Sequence, residues 1–216
     1  MRKTLRQQQR LADVGQAVAK INHDVRNSLT VATLLADQLE DSTDPEIAKA
    51  GPLIVQSTKM AADMCQKMLD YLAELPPPEF QMLDMAEIIA DAQSSYPVTI
   101  TYQGPDRFYM DRLFLSRILG NLARNASLAQ AQNMQIDIWR AGHLQIIDFS
   151  DDGPDIPETR KAELFAPFVS SSRAGTGLGL AICLDLAIAL GGKFYLLRSS
   201  SAGSEFRLQL PLKDPS

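Results

Sequence analysis

Two carboxamides, Asn121 and Asn125, stand four residues apart in the helix-forming run LFLSRILGNLARNASLAQ (113–130), so both point to one side of that helix. An asparagine oxygen suits a hard cation such as magnesium, which takes few protein ligands and keeps several waters. Alone, the pair reads equally well as a helix surface. Downstream, DFSDDGPDIP (148–157) ends a strand in Asp151, with Gly153 and a proline-punctuated loop behind it. A carboxylate at such a strand end can accept a hydrogen bond from the exocyclic amine of adenine, and guanine lacks a donor at the matching position. Asp-Gly at a strand end is also ordinary hairpin chemistry. A third stretch, GTGLGLA (175–181), sets Gly175, Gly177 and Gly179 where a loop opens a helix. Its backbone can approach a phosphate closely, and the helix start offers free amides. No G-K-[ST] follows and no strand precedes it, so it is neither a P-loop nor a dinucleotide fingerprint.

The other candidate chemistry lies near the start, in INHDVRNSL (21–29). Apolar or small residues recur at Leu11, Val14, Val18, Ile21, Val25, Ser28, Ala32, Leu35 and Leu39, with alternating steps of three and four, the pattern of a coiled-coil seam. Counted from Leu11, His23 falls on the side farthest from that seam. Asp24 adjoins it and Asn27 lies one turn on. An exposed imidazole beside a carboxylate suggests a nucleophile and its activating group; a surface histidine on a bundle helix is the plainer reading of one residue.

These residues need elements to hold them. A first helix is expected over about 3–40, a turn at DSTDPE (41–46), and a second helix with its own seam at Ile54, Thr58, Ala61, Cys65, Met68, Leu72 and Leu75. A short turn makes the two antiparallel. The uncovered seams predict a homodimer in which two hairpins form a four-helix bundle. PPP at 76–78 ends the second helix and is the one clear linker. Residues 1–75 are therefore one domain and 79–216 a second. In the latter, 82–93 reads as a helix, 98–102 as a strand, 134–150 as two strands around an Ala-Gly turn, 178–191 as a helix, and KFYLLRSS and SEFRLQLPL as closing strands. That mixture is a layered α+β sandwich with helices on one face.

Composition narrows the function. With 216 residues, 45% hydrophobic and 22% charged, the chain is ordinary for a soluble protein. A net charge of −5 argues against nucleic acid as a partner. No apolar run reaches membrane-spanning length, since LGLAICLDLAIAL is interrupted by Asp185, and a cytoplasmic location is expected. Cys65 and Cys183 stand apart from each other and from histidines, as core thiols do.

Taken together in this order, the motifs make the chain resemble the sensor histidine kinases of two-component signalling over essentially its whole length. HDVRNSL is similar to their phosphoacceptor box, NLARN to their asparagine box, DDGPDI and GTGLGLAI to their two glycine boxes, and LFAPF to their phenylalanine box. The resemblance implies a dimerisation and phosphotransfer hairpin followed by a catalytic domain of the Bergerat (GHKL) ATPase type, using ATP and Mg2+. It implies autophosphorylation on His23, with Asp24 orienting the imidazole, and transfer to an aspartate of a response-regulator receiver domain. Asn27 takes the place of the residue that positions water for dephosphorylation of that regulator. Asn125 would hold magnesium with Asn121 beside it, and Asp151 would bind the adenine amine. Gly153, Gly175, Thr176, Gly177, Leu178 and Gly179 would shape the loops over the nucleotide, with 169–174 as a short lid.

Three positions depart from the pattern. Ser28 replaces the usual proline, Leu128 stands where a basic residue is common, and Asp155 takes the place of a glycine, where its charge is expected to hold ATP affinity low. The alternative is a histidine phosphotransfer protein with a degenerate ATP-binding domain, and a third reading is a serine kinase or ATPase of the same Bergerat class. The His23 helix counts against the last.

Overall fold

The computed structural model describes residues 25, 29–36, 39, 44–72, 75–169 and 176–213. His23, Asp24, Asn27 and Ser28, the seam from Leu11 to Ile21, the lid at 170–174 and Gly175 lie outside the described residues. The chain forms two compact units, Met1–Glu74 and Leu75–Ser216.

In the first unit, helix α1 (Pro45–Leu72) opens on a proline, whose missing amide costs nothing at a first helical position. Residues 29–36 are also helical, and the Thr33 and Thr58 hydroxyls meet at 2.8 Å. Thr58 and Ala36 are buried. In the single chain Leu35, assigned to the seam, is 58% exposed, and Ile54 and Met68 are exposed too, while the seam residue Thr58 is buried and the half-buried Thr33 and buried Ala36 fall between seam positions. Cys65 is only half-buried.

The second unit is built on a five-stranded sheet of order β2-β4-β5-β7-β6, with β2 and β4 parallel and the other neighbours antiparallel. Its strands are β2 (Thr99–Gln103), β4 (Asn133–Ala141), β5 (Leu144–Asp151), β6 (Lys193–Ser200) and β7 (Gly203–Pro211). One face buries Ile100, Ile136, Ile147, Phe149, Phe206 and Leu208. On it lie α2 (Met85–Ser95), α3 (Arg112–Leu128) and α5 (Gly179–Ala189): α3 packs on both α2 and α5, and α5 on β6 and β7. A short α4 (Glu158–Lys161) follows β5.

A separate two-stranded ribbon pairs β1 (Phe80–Asp84) with β3 (Arg107–Asp111). Neither strand is anticipated by the sequence reading, which puts 82–84 in a helix. Asp84 decides the matter: it is extended, and its carboxylate accepts the Ala86 amide at 2.9 Å, so the helix begins only at Met85. Asp111 caps α3 in the same way, accepting the Phe114 amide at 2.8 Å.

The outer sheet face is polar and internally paired. Arg207 donates to both oxygens of buried Asp148 at 2.6 and 2.8 Å, and Trp139 Nε1 adds a third hydrogen bond at 3.1 Å. Asp148 pushes the Arg207 guanidinium further up from its already high range. Asp148→Ala leaves that cation without its partner. It is expected to destabilise the unit by about 3 kcal/mol, read as a lowered urea midpoint at unchanged slope.

Candidate functional site

Asn121 and Asn125 sit on the side of α3 that faces α5. A Cβ built on Gly179 would lie 3.4 Å from Asn121 Oδ1 and 3.6 Å from Asn125 Oδ1, so the two carboxamide oxygens converge on the start of α5. The N-cap residue Leu178 supplies no side-chain cap, so among the described residues the first amides of that helix are left open to an anion. Gly177, just before it, has φ +68, and a Cβ there would come within 2.5 Å of the Val169 backbone nitrogen. Only glycine meets both conditions. The same junction holds Phe168 at φ +67, and its N–H donates to the Gly177 carbonyl at 3.0 Å. A non-glycine residue in the left-handed region is strained, and here the strain is tied down beside a cavity.

That cavity, of about 250 Å³, is lined by Asn121, Asn125, Asp151, Thr176, Gly177 and Gly179 together. Asp151 ends β5 half-buried, and its Oδ1 accepts the Gly153 amide at 2.9 Å. A Cβ on Gly153 would sit 2.8 Å from that oxygen, so glycine keeps the carboxylate in place. Burial pushes the Asp151 carboxyl up from the usual carboxylate value, while hydrogen bonds from the Gly153 and Ser204 backbones pull it down. Its neighbour Asp152 serves structure: it accepts the Gln132 and Asn133 amides at 2.8 and 3.0 Å and so joins the end of β5 to the start of β4. Leu178 points into the core, 1% exposed, and does not line the cavity.

The sequence reading missed Arg124, Arg160 and Ser204, which line the same cavity. Arg124 was legible within NLARN. Arg160 and Ser204 were not, because α4 and β7 reach the cavity only through the fold. Asp155 also lines it, but its carboxylate is engaged: Ser199 Oγ donates to Asp155 Oδ1 at 2.8 Å. Having given its one proton, the Ser199 hydroxyl accepts from the Ile156 amide at 2.8 Å and from Ser204 at 3.0 Å. Nearby, Phe165 of LFAPF packs edge-on against Phe194, which stacks on Phe206 in the cavity wall.

Two neutral carboxamide oxygens beside free helix amides fit a magnesium–phosphate group, since that cation takes one or two protein oxygens and fills its shell with water and phosphate. Among the described residues no cluster of three histidine, cysteine or acidic side chains could hold a metal by itself.

Residues 110–214, which carry the cavity, match the family described as "Histidine kinase-, DNA gyrase B-, and HSP90-like ATPase". Over nearly its whole length the chain is similar to sensor histidine kinases. It is 28% identical over 224 residues to the signal transduction histidine-protein kinase AfsQ2 of Streptomyces coelicolor, covering 92% of this chain and 42% of that protein. It is 25% identical over 219 residues to the sensor protein kinase PilS of Pseudomonas aeruginosa, covering 94% and 41%. The chain thus spans less than half the length of these curated relatives. Among solved structures, full-length ShkA in complex with AMPPNP superposes with a TM-score of 0.74 at 22% identity, over 93% of this chain and 46% of that one. The histidine kinase ThkA in complex with the response regulator protein TrrA does so at 0.63 and 23%, over 95% and 64%. At these identities the structures establish the fold.

Proposed function

We propose that the chain is the core of a sensor histidine kinase that phosphorylates itself on His23 from ATP and passes the phosphoryl group to an aspartate of a response-regulator receiver domain. The observation that carries this reading is the convergence of Asn121 Oδ1 and Asn125 Oδ1 on the uncapped start of α5, in the same cavity as Asp151. The AMPPNP of ShkA and the regulator partner of ThkA supply the ligand class and the partner class by likeness. A phosphotransfer protein with a degenerate domain would have no need to keep this cavity.

In this reading Asp151 accepts the adenine amine, the amides of α5 receive phosphate, and Asn125, with Asn121 beside it, holds Mg2+. The bound cation offsets the negative charge of the phosphates. An imidazole nitrogen of His23 attacks the γ-phosphorus; the N–P bond forms as the bond to the ADP oxygen breaks. Asp24 orients the ring through its other nitrogen, and Asn27 holds water for dephosphorylation of the regulator.

The first unit would be the dimerisation hairpin of 1–75. Val31, Leu34 and Leu35, more than half exposed in the single chain, would be covered by a second copy in a four-helix bundle. No described helix is long and apolar enough to cross a membrane, and a cytoplasmic location fits a receiver-domain partner. The test is incubation with γ-phosphate-labelled ATP and Mg2+: the label should be stable to base and lost in acid, as phosphohistidine is.

Asp155 adds a second test of ATP binding. Asparagine keeps an acceptor for Ser199 and removes only the charge. A like charge ~8 Å from a phosphate costs roughly 2 kcal/mol at an effective dielectric of ~20, and exposure to solvent reduces it to about half. Asp155→Asn should therefore tighten ATP about fivefold in calorimetric titration, with the gain fading in high salt. Unchanged affinity would leave Asp155 only its bond to Ser199.

A further inference from the structure

A second cavity, of about 220 Å³, opens in the Leu75–Ser216 unit where the β1–β3 ribbon meets the end of the five-stranded sheet. On the ribbon, Met82 pairs with Tyr109 and Asp84 with Arg107, so Phe80, Met82, Tyr109 and Arg107 share one face. On the sheet, Arg140 pairs with Gln145 and Gln145 with Leu210, which places those three side by side. All of these except Asp84 line the cavity, together with Lys213.

Three features of the lining point to one kind of ligand. Its charged groups are all cationic: Arg107, Arg140 and Lys213, with no carboxylate among the lining residues. The Lys213 ammonium lies 3.8 Å from the Phe80 ring centroid, whereas neither guanidinium has an ion pair or hydrogen bond to a described residue. Asp84, opposite Arg107, has its Oδ1 on the Ala86 amide. Second, the walls are flat and apolar, with the Phe80 and Tyr109 rings 5.9 Å apart and Met82 beside them at 44% exposure. Third, Gln145 is only 8% exposed. Its Nε2 donates to the Trp139 carbonyl, and its Oε1 has no partner among the described residues. A buried carboxamide oxygen left open in a cavity wall awaits a donor, which a hydroxyl on the ligand's ring, not its anionic group, would supply. The space is below the usual range for a drug-sized ligand, which limits the occupant to about one ring.

We propose that this cleft binds a small aromatic anion, an aryl carboxylate or aryl phosphate, with its ring against Phe80 and Tyr109 and its charged group between Arg107 and Arg140. The site is separate from the cavity of Asn125 and Asp151 and does not depend on what that cavity binds.

The test uses the whole chain labelled with [13C-methyl]methionine, the Met82 signal being assigned by Met82→Leu. Benzoate and phenyl phosphate should shift that signal saturably, with Kd of about 1 mM or below. The tighter of the two identifies the head group. Benzamidine, a cation of the same shape as benzoate, should leave the signal in place. The double variant Arg107→Gln, Arg140→Gln should weaken binding about tenfold or more, while the Lys pair at the same positions retains most of it. Equal binding of benzamidine, equal affinity in the Gln variant, or inorganic phosphate binding as tightly as phenyl phosphate would each overturn the proposal. So would binding of a Glu-rich peptide in place of the aryl anions.

Discussion

His23→Gln is expected to abolish phosphoryl labelling of the chain, a loss of about 10³-fold or more, because it removes the nucleophile itself. Glutamine keeps a polar side chain of similar reach, but its amide nitrogen shares its lone pair with the carbonyl and cannot attack phosphorus. ATP affinity should stay within about twofold of wild type, since the described residues that line the cavity all belong to the Leu75–Ser216 unit. Calorimetry and labelling together therefore separate loss of the acceptor from loss of the nucleotide. Label that persists in the variant, or that survives acid, would remove His23 from the reaction.

The next largest effect is expected at Asp151. Asp151→Asn replaces a carboxylate with a group that can present one oxygen but must also aim an NH2 at a neighbour. The Gly153 and Ser204 backbones hydrogen-bond the carboxylate, so the variant either turns a donor toward adenine's amine or leaves a backbone amide unpaired. A lost charged hydrogen bond together with an orphaned donor predicts roughly 100-fold weaker ATP binding. The pH dependence has a definite sign. Burial raises the Asp151 carboxyl above its usual range, so the folded chain takes up this proton more readily than the unfolded one. Through this group alone, stability is greatest at low pH and declines as pH rises through the raised value. ATP binding runs the other way. It requires the ionised acceptor and should weaken as pH falls through the raised value in the wild type more than in the variant. The nucleotide's own titration cancels in that comparison. Parallel pH profiles would mean that Asp151 does not meet the base.

The helices and the closing strands were legible because their signals are local. The Asn121–Asn125 pair follows from 3.6 residues per turn, and α3 spans Arg112–Leu128, within two residues of the expected 113–130. The hairpin of β4 and β5 was visible as two apolar alternations about a Gly turn, and Gly142 does take φ +59. The ribbon was not legible. Its strands are five residues each and separated by helix α2 and strand β2, so each becomes a strand only by pairing with the other. The heptads named Thr58 on α1 but not its partner on the first helix, since Thr33, which meets it at 2.8 Å, falls between seam positions.

The sequence by itself determined the chemistry available to the site. Gly177 is dictated by backbone at φ +68, Asp151 and Gly153 by a carboxylate that must bind its own turn, and the two asparagines by one helix face. Such demands act over a few residues and leave a residue type as their mark. Tertiary structure alone decided what surrounds that chemistry. Ser204 faces Asp151 because β5 and β7 pair in that register, Ser199 meets Asp155 across 44 positions, and Arg160 arrives on a four-residue helix. The meeting of Arg107 and Arg140 around one cleft is of the same kind. Strand order and register are set by the burial of a whole sheet face against three helices, a balance spread over many side chains that no single short stretch records.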